Sequence, residues 1–264
     1  MRALLALVFC LAALSARAQE AAPPAASIAQ PESIQIGLST DHVRITADFS
    51  GADLTIFGSV DNADPAMARQ GRYDVVVVLE GPARPIVVRR KDRVLGMWIN
   101  TEAETFVNVP MSYSVATTRV YQDIADPDSY RRLSLGANNI YLEPANRDDP
   151  LTVSEFTTAL RARKTVSGLY SERMGDVQFL SQTLFRATLT LPPNVPVGTH
   201  KARAFLFKNG VFVKETSAQL SIRKSGFEQT LFRLATNHGT FFGFVAVALA
   251  VVMGWGGRVL FRKD

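Results

Sequence analysis

The sequence predicts an all-β external region with an Ig-like β-sandwich fold, followed by one C-terminal transmembrane helix. Two patterns indicate this. Short segments of alternating apolar and polar residues recur at about 8–12-residue spacing, with turn residues between them. Residues 240–261 then form a long apolar run that ends in basic residues. The chain is 47% hydrophobic, which excludes disorder along most of its length.

The N-terminal end is typical of a secretory signal peptide over residues 1–18. The apolar run at 3–14 is too short to span a bilayer, and small residues precede a cleavage site between Ala18 and Gln19. The Ala/Pro-rich segment 19–31 is predicted to be a flexible leader.

The C-terminal run at 240–261 is predicted to cross the membrane because it is apolar on every face. Residues 226–239 are predicted to form an amphipathic juxtamembrane segment. Basic residues at the far end place the tail 262–264 in the cytoplasm by the positive-inside rule, namely Arg258, Arg262 and Lys263. The sequence therefore predicts a single-pass protein of the bacterial inner membrane, with its external region in the periplasm.

Small residues on this helix are candidates for close contact with another helix. They are Gly239, Gly243, Gly254 and Gly257. A helix that only anchors the chain is an equal alternative, because Gly is common in membrane spans.

The first β region is predicted at 32–120, as an Ig-like domain. Its best strand is 73–79, a continuous β-branched run that indicates a central strand buried on both faces. The other predicted strands are 33–38, 42–49, 54–60, 85–90, 96–100, 105–109 and 112–118.

Residues 121–172 are predicted to be a helical connector, with a short helix at 126–135 and a longer one at 152–171. Thr152 and Glu155 match a capping box. A second β unit follows at 173–224, where Asn209-Gly210 between two alternating runs predicts a tight hairpin. A single composite domain is the alternative.

The net charge of +5 does not indicate nucleic-acid binding. Five of the 29 basic residues lie before residue 19 or after residue 257, and the region between them carries a net charge of only +1. The single cysteine, Cys10, lies inside the predicted signal, so a disulfide framework is excluded.

Acid–base pairs and metal motifs are weak in this sequence, and neither a cofactor nor enzymatic activity is expected. Asp41 and His42 are adjacent, so on a strand they would point to opposite faces, and a turn Asp followed by a strand His is the simpler interpretation. Glu102 and Glu104 could share a strand face, but a glycosidase pair needs a specific separation across a cleft, and a solvated strand edge or turn is the simpler interpretation. No metal-ligand spacing of His or Cys occurs.

One basic cluster stands out: Arg89, Arg90, Lys91 and Arg93. Guanidinium groups bind oxyanions through two hydrogen bonds, which makes the cluster a candidate contact for an anion or a partner. A charged hairpin between two strands is the simpler alternative, and Asp92 weakens the positive field.

Several segments resemble the alpha-proteobacterial putative transmembrane protein family: SGADLTIFG (50–58), VRRKDRVLGMWIN (88–100), LFRATLTLPPNVPVG (184–198) and the Gly254-Trp255 pair. The resemblance covers nearly the whole mature chain and implies a signal peptide and a C-terminal span. His200 departs from it, where a Tyr is expected. The family is uncharacterised, so the resemblance assigns no catalytic residues to this chain. Its members' association with sulfite-exporter-type permeases weakly implies a transport-linked role.

These observations favour a membrane-anchored periplasmic binding or accessory module without enzymatic activity. Its expected partners are the lipid bilayer and a membrane protein such as a permease, or a second copy of the chain; nucleic acid is not expected. An envelope hydrolase or solute-binding domain and a self-associating structural protein are the alternatives.

Overall fold

The computed structural model describes residues 31–146, 149–225 and 239–260, without the side chains of 241–242 and 257–260. Within these residues the chain forms twelve strands: β1 (Ser33–Leu38), β2 (His42–Ile45), β3 (Ala52–Asp61), β4 (Tyr73–Glu80), β5 (Ala83–Val94), β6 (Met97–Pro110), β7 (Tyr113–Thr117), β8 (Tyr170–Met174), β9 (Val177–Phe179), β10 (Leu184–Leu191), β11 (Gly198–Lys208) and β12 (Val211–Lys224). The helices are α1 (Pro65–Arg69), α2 (Tyr121–Ile124), α3 (Pro127–Leu133), α4 (Pro150–Val166) and α5 (Gly239–Leu260), with a 3-10 turn at Ala137–Asn139.

Two sheets pack face to face and enclose the main core. One has the strand order β1-β3-β10-β9, and the other has the order β2-β12-β11-β4-β7-β8. Apolar side chains from both sheets meet between them, including Leu54, Ile56, Phe185 and Leu206. The predicted β-rich, sandwich-like architecture is therefore present.

The central strand β4 is buried on both faces, as its sequence predicts. Val75 and Val77 contribute to the core between the sheets, whereas Val76 and Val78 contribute to a second core on the other side. All four side chains are fully buried. Successive side chains on a strand point to opposite faces, so a run of four valines serves both cores at once.

The second core lies between the six-stranded sheet and the helical segment. Phe156 and Leu160 of α4 belong to one buried cluster with Phe205 and Phe207 of β11. Tyr130 of α3 packs against Phe207, with ring centroids 6.3 Å apart. The segment 121–172 therefore does more than connect two β units, because it covers one face of the central sheet.

The strands predicted for two separate β units share both sheets. β3 pairs with β10, and β4 pairs with β11, both antiparallel. The segments 32–120 and 173–224 thus contribute strands to the same two sheets. The hydrophobic pattern marks which residues form strands, but the partner of a strand is decided by tertiary packing.

The long helix α4 begins and ends earlier than predicted. Asp149 caps it, and its Oδ2 accepts a hydrogen bond from the Thr152 amide at 3.2 Å, so the capping box at Thr152 is wrong. The helix ends at Val166, and Tyr170 already belongs to β8. Gly168 has a φ of +71°, which turns the chain out of the helix at this point.

The Asn209-Gly210 hairpin is confirmed. Both residues have positive φ, at 50° and 84°, and they join β11 to β12. This is the geometry that a two-residue turn between twisted strands requires.

α5 covers 22 residues, Gly239–Leu260. Among the residues that the structure describes, no helix meets the length and apolarity needed to cross a membrane. The span predicted at 240–261 stays a prediction. The predicted signal peptide, leader and juxtamembrane segment, at 1–18, 19–31 and 226–239, lie wholly or almost wholly outside the described residues.

Candidate functional site

A long β-hairpin, β5–β6, forms a separate two-stranded sheet. The strands pair from Ala83↔Pro110 to Val94↔Met97, which leaves a two-residue turn of Leu95 and Gly96. Both turn residues have positive φ, at 50° and 85°. This matches the type I′ geometry that suits the twist of paired strands, so the turn is held by its own backbone.

The base of the hairpin is packed into the second core. Phe106 and Val109 of β6 are fully buried there, and Ile86 and Val88 of β5 pack against the same cluster. The Val107 amide also donates to Glu143 O at 2.9 Å. These contacts fix the direction in which the rest of the hairpin extends.

The far end of the hairpin, residues 91–100, is called the hairpin tip below. Its apolar side chains are largely exposed: Leu95 is 95% exposed, Trp98 70% and Met97 66%. Val94 and Ile99 are also exposed, at 42% and 43%. Large apolar side chains that are grouped and exposed in this way indicate an interaction surface.

The basic cluster lies on β5, where Arg89 and Arg90 precede the hairpin tip and Lys91 and Arg93 belong to it. Arg90 is engaged within the chain: its guanidinium pairs with Glu102 at 2.9 Å and with Glu155 of α4, and it lies 5.3 Å from the centroid of the Phe156 ring. The two carboxylates raise the pKa of Arg90. Arg90 therefore joins the hairpin to the helix.

The other three basic residues of the cluster can still pair with an acidic group on another molecule. Among the described residues, no ion pair is formed by Arg89, Lys91 or Arg93. Arg93 Nε donates to Gly96 O at 3.3 Å, which keeps its guanidinium next to the turn. Asp92, the acidic residue in the cluster, accepts a hydrogen bond from Thr101 Oγ1 at 2.5 Å. The candidate site is thus an apolar tip with a positively charged flank.

A buried serine–histidine pair was missed by sequence reasoning. Ser112 Oγ lies 3.2 Å from His200 Nε2, and His200 Nδ1 lies 3.3 Å from Gly198 O. Because a carbonyl only accepts, Nδ1 carries the proton and Nε2 accepts from Ser112. His200 is fully buried and Ser112 almost so, and burial lowers the pKa of His200. The pair is closed to substrate, which suits a structural contact.

Asp41 and His42 are a turn Asp followed by a strand His, as the simpler interpretation has it, but their side chains contact each other and do not point apart. His42 Nδ1 lies 2.5 Å from Asp41 Oδ1. Asp41 lies in the turn before β2, where strand alternation does not apply. Both side chains are well exposed, and the hydrogen bond lowers the pKa of Asp41.

The two glutamates of β6 differ in environment. Glu102 is exposed and pairs with Arg90, whereas Glu104 is buried, which corrects the expectation of a solvated edge. Glu104 Oε1 accepts from the Thr105 amide at 3.1 Å. In the described part of the chain, no three His, Cys, Asp or Glu side chains are grouped as metal ligands.

Three of the candidate helix-packing glycines have open surroundings. A Cβ built at Gly239, Gly243 or Gly254 would meet no atom within 4 Å. At about 100° per residue, positions 239, 243, 254 and 257 fall within about 60° of one another on the helix. The surroundings of Gly257 and the side chain of Arg258 lie outside the described residues, as do Ala18, Gln19, Arg262 and Lys263.

Several solved structures match the chain, and two of them are a fimbrial subunit and an adhesin domain. AggA, the major subunit of aggregative adherence fimbriae type I from Escherichia coli, is 9% identical with a TM-score of 0.27, covering 75% of this chain and 98% of that one. The N-terminal domain of the Streptococcus gordonii adhesin Sgo0707 is 9% identical with a TM-score of 0.24, covering 73% of this chain and 33% of that one. Among curated protein sequences, none matches.

The family comparison covers nearly all of the chain after the predicted signal and leader. A family described as "Putative transmembrane protein (Alph_Pro_TM)" matches residues 33–263. The match includes the sandwich, the helical segment, the hairpin and α5. It confirms the resemblance found in the sequence: the chain belongs to this family.

Proposed function

We propose that the chain is a non-enzymatic accessory module of the bacterial inner membrane that binds an integral membrane protein through the hairpin tip. Residues 240–261 anchor it, with the β region in the periplasm and the tail 262–264 in the cytoplasm. The observation that carries the proposal is the group of exposed apolar side chains on a hairpin whose base is fixed in the core. The permease that the family resemblance implies is one such partner.

The composition of the tip favours a protein partner. Trp, Met and Arg are enriched at protein interfaces, and a Trp at the centre of a contact often dominates its binding energy. Trp98 lies opposite Arg93 in the hairpin register, and Met97 lies opposite Val94. The turn is already ordered, so binding costs little conformational entropy in the backbone.

The charge of the flank indicates the chemistry of the partner surface. Arg89, Lys91 and Arg93 outnumber the one acidic residue beside them, Asp92. An apolar pocket with acidic residues around its rim would complement this tip. Rim charges of this kind mainly speed association and select the partner, while the apolar side chains hold the complex together.

Membrane anchoring is supported by the family description and by the surface of α5. Apolar side chains along this helix are exposed, among them Phe244, Val247, Leu249 and Trp255. Exposed apolar side chains on a helix are stable when lipid or another helix covers them. The glycines on one side of the helix would let a partner helix approach closely.

The absence of enzymatic activity is supported by the polar pairs described above. His200 and Ser112 are sealed in the interior, where a substrate cannot reach them. The Asp41–His42 pair lies in the open, and water surrounds both side chains. Catalytic groups normally lie in a cleft that limits their contact with water.

Site-specific photo-cross-linking in intact cells tests the proposal. A photoreactive amino acid replaces Trp98 at the tip, and the matched control replaces Val211, which is similarly exposed at the Asn209-Gly210 hairpin. We expect one integral membrane protein, recovered in near-equimolar amount, from position 98 and not from position 211. The double substitution Lys91→Glu and Arg93→Glu should greatly reduce this product.

Shortening the hairpin separates binding from folding. Joining Arg90 to Glu102 through Asn-Gly removes the tip and keeps the Arg90–Glu102 pair. This variant, carrying no cross-linker, should fold normally and no longer retain the membrane-protein partner when it is purified in mild detergent. Cross-links from position 98 to lipid alone would overturn the proposal. Cross-links to a second copy that Gly243→Leu removes would replace it with self-association.

A further inference from the structure

A small pocket opens where α2, α3 and the start of the 3-10 turn meet the edge strand β8. Its volume is about 250 Å³, and its polar and aromatic lining includes Tyr121, Tyr130, Gly136, Asn139 and Glu172. Drug-sized ligands occupy pockets of about 300–1,000 Å³, so this one suits a ligand of only a few heavy atoms. It lies apart from the hairpin tip, and none of its lining residues belongs to β5 or β6.

Gly136 keeps the floor of the pocket open. Its φ is +93°, and the Tyr113 hydroxyl holds this turn by accepting from the Gly136 amide at 3.1 Å and donating to Ser134 O at 3.2 Å. A Cβ at position 136 would lie 3.4 Å from Glu172 Oε1 and 3.6 Å from both Tyr121 Oη and Asn139 Nδ2. Three polar groups therefore converge on the space that the missing side chain leaves.

The Tyr121 hydroxyl is buried and has no hydrogen-bond partner among the described residues. Its ring is fixed edge-on against Tyr130, with centroids 4.9 Å apart, and the Tyr130 hydroxyl donates to Tyr121 O at 2.8 Å. Burial, together with the negative charge of Glu172, raises the pKa of Tyr121, so the phenol stays neutral. A buried hydroxyl without a partner is unfavourable and rare in native proteins.

The lining carries one acidic and one basic side chain, Glu172 and Arg131. Glu172 Oε1 accepts from the Ala137 amide at 2.5 Å, and no described Lys or Arg forms an ion pair with this carboxylate. Arg131, at the rim, is paired with Asp128 instead. Asn139 Nδ2 already donates to Leu135 O at 2.6 Å. The lining thus offers a carboxylate and a hydroxyl oxygen that can accept hydrogen bonds, beside aromatic rings.

We propose that this pocket binds the ammonium group of a small primary amine. Glu172 supplies the opposite charge, and Tyr121 Oη accepts one N–H through its free lone pairs. The rings of Tyr121 and Tyr130 contact the short alkyl part and interact favourably with the cation. This site goes beyond the partner binding proposed for the hairpin tip, and its failure would leave that proposal untouched.

Ligand-observed saturation-transfer NMR on the full chain tests this inference. Ethylammonium is the probe, and ethanol is the neutral control of similar size. Tyr121→Phe removes only the unpartnered oxygen, so the variant should fold as the parent does. The matched control is Tyr141→Phe, which changes an exposed tyrosine outside the pocket.

We expect saturable binding of ethylammonium and none of ethanol at the same concentration. Tyr121→Phe and Glu172→Gln should each weaken the binding of ethylammonium at least about tenfold, while Tyr141→Phe should leave it unchanged. Equal binding of ethanol would overturn the assignment of an ammonium. Unchanged binding in correctly folded Tyr121→Phe, or no saturable binding in the parent, would overturn the site itself.

Discussion

Protonation of the buried His200 should destabilise the fold in mild acid. The imidazole is fully buried, and burial lowers its pKa below the ordinary value of 6.5. The unfolded chain binds a proton at this residue near pH 6.5, whereas the folded chain resists binding it. The free energy of unfolding therefore falls as the pH falls through 6.5, until the pKa of the folded state is reached.

The size of this effect follows from linkage. For a single group, each pH unit below its pKa in the unfolded chain lowers the free energy of unfolding by at most about 1.4 kcal/mol. Between pH 7.5 and 5.5, His200 should thus lower the free energy of unfolding by up to about 1.4 kcal/mol. That loss is a sizeable part of a typical stability of about 5–15 kcal/mol.

Denaturant titrations at pH 7.5 and 5.5 measure the effect. Far-UV circular dichroism is the suitable signal, because Trp98 is on the exposed tip and Trp255 is on α5, away from both cores. His200→Gln keeps a donor and an acceptor but does not titrate, so its stability should depend less on pH than that of the parent. Identical pH dependence in the parent and in His200→Gln would refute the reasoning.

Two further predictions concern the cores. Arg119→Gln should lower the free energy of unfolding by about 2–3 kcal/mol, because Asp74 is buried on β4 and Arg119 Nε donates to its Oδ1 at 2.9 Å. In a double-mutant cycle measured by denaturant titration, adding Asp74→Asn should recover part of this loss. Gly58→Ala should lower the free energy of unfolding by about 1–3 kcal/mol, because its Cβ would lie 2.3 Å from the Phe185 ring and 2.5 Å from a backbone oxygen. Gly37→Ala is the control and should be near neutral, because a Cβ there meets nothing within 4 Å. Thermal unfolding measures both, and a comparable loss at the two positions would contradict the packing argument.

Local patterns in the sequence predict much of the fold. The β-branched run at 73–79 and the Asn209-Gly210 turn are fixed by residue type, and both are found as expected. The pairing of β3 with β10 could not be predicted, because their residues are more than a hundred positions apart and many alternating strands fit the same face. The parallel strand β8 was missed because Tyr170 continued the apolar spacing of α4.

The candidate sites show the same division between local and tertiary information. The basic cluster is visible in the sequence, but nothing local shows that Arg90 is taken by Glu155, since the two lie on separate elements. Glu104 lies two residues after the exposed Glu102, and nothing in the local sequence distinguishes the two. Glu104 is nevertheless buried, because the base of the hairpin packs into the second core. The Ser112–His200 contact joins β11 to the turn before β7 and has no sequence signature.

The hairpin consists of a buried base and an exposed tip. Its base provides Phe106 and Val109 to the second core, and Arg90 joins it to α4, so the base is accounted for by folding. Beyond Arg90 the hairpin continues into the tip, residues 91–100, and none of these residues contributes a side chain to either core. The exposed Trp98 side chain adds little to the stability of this chain, because apolar surface stabilises a protein when it is buried. Apolar side chains at the tip would contribute stabilisation only when a partner buries them, so cross-linking from position 98 tests this directly.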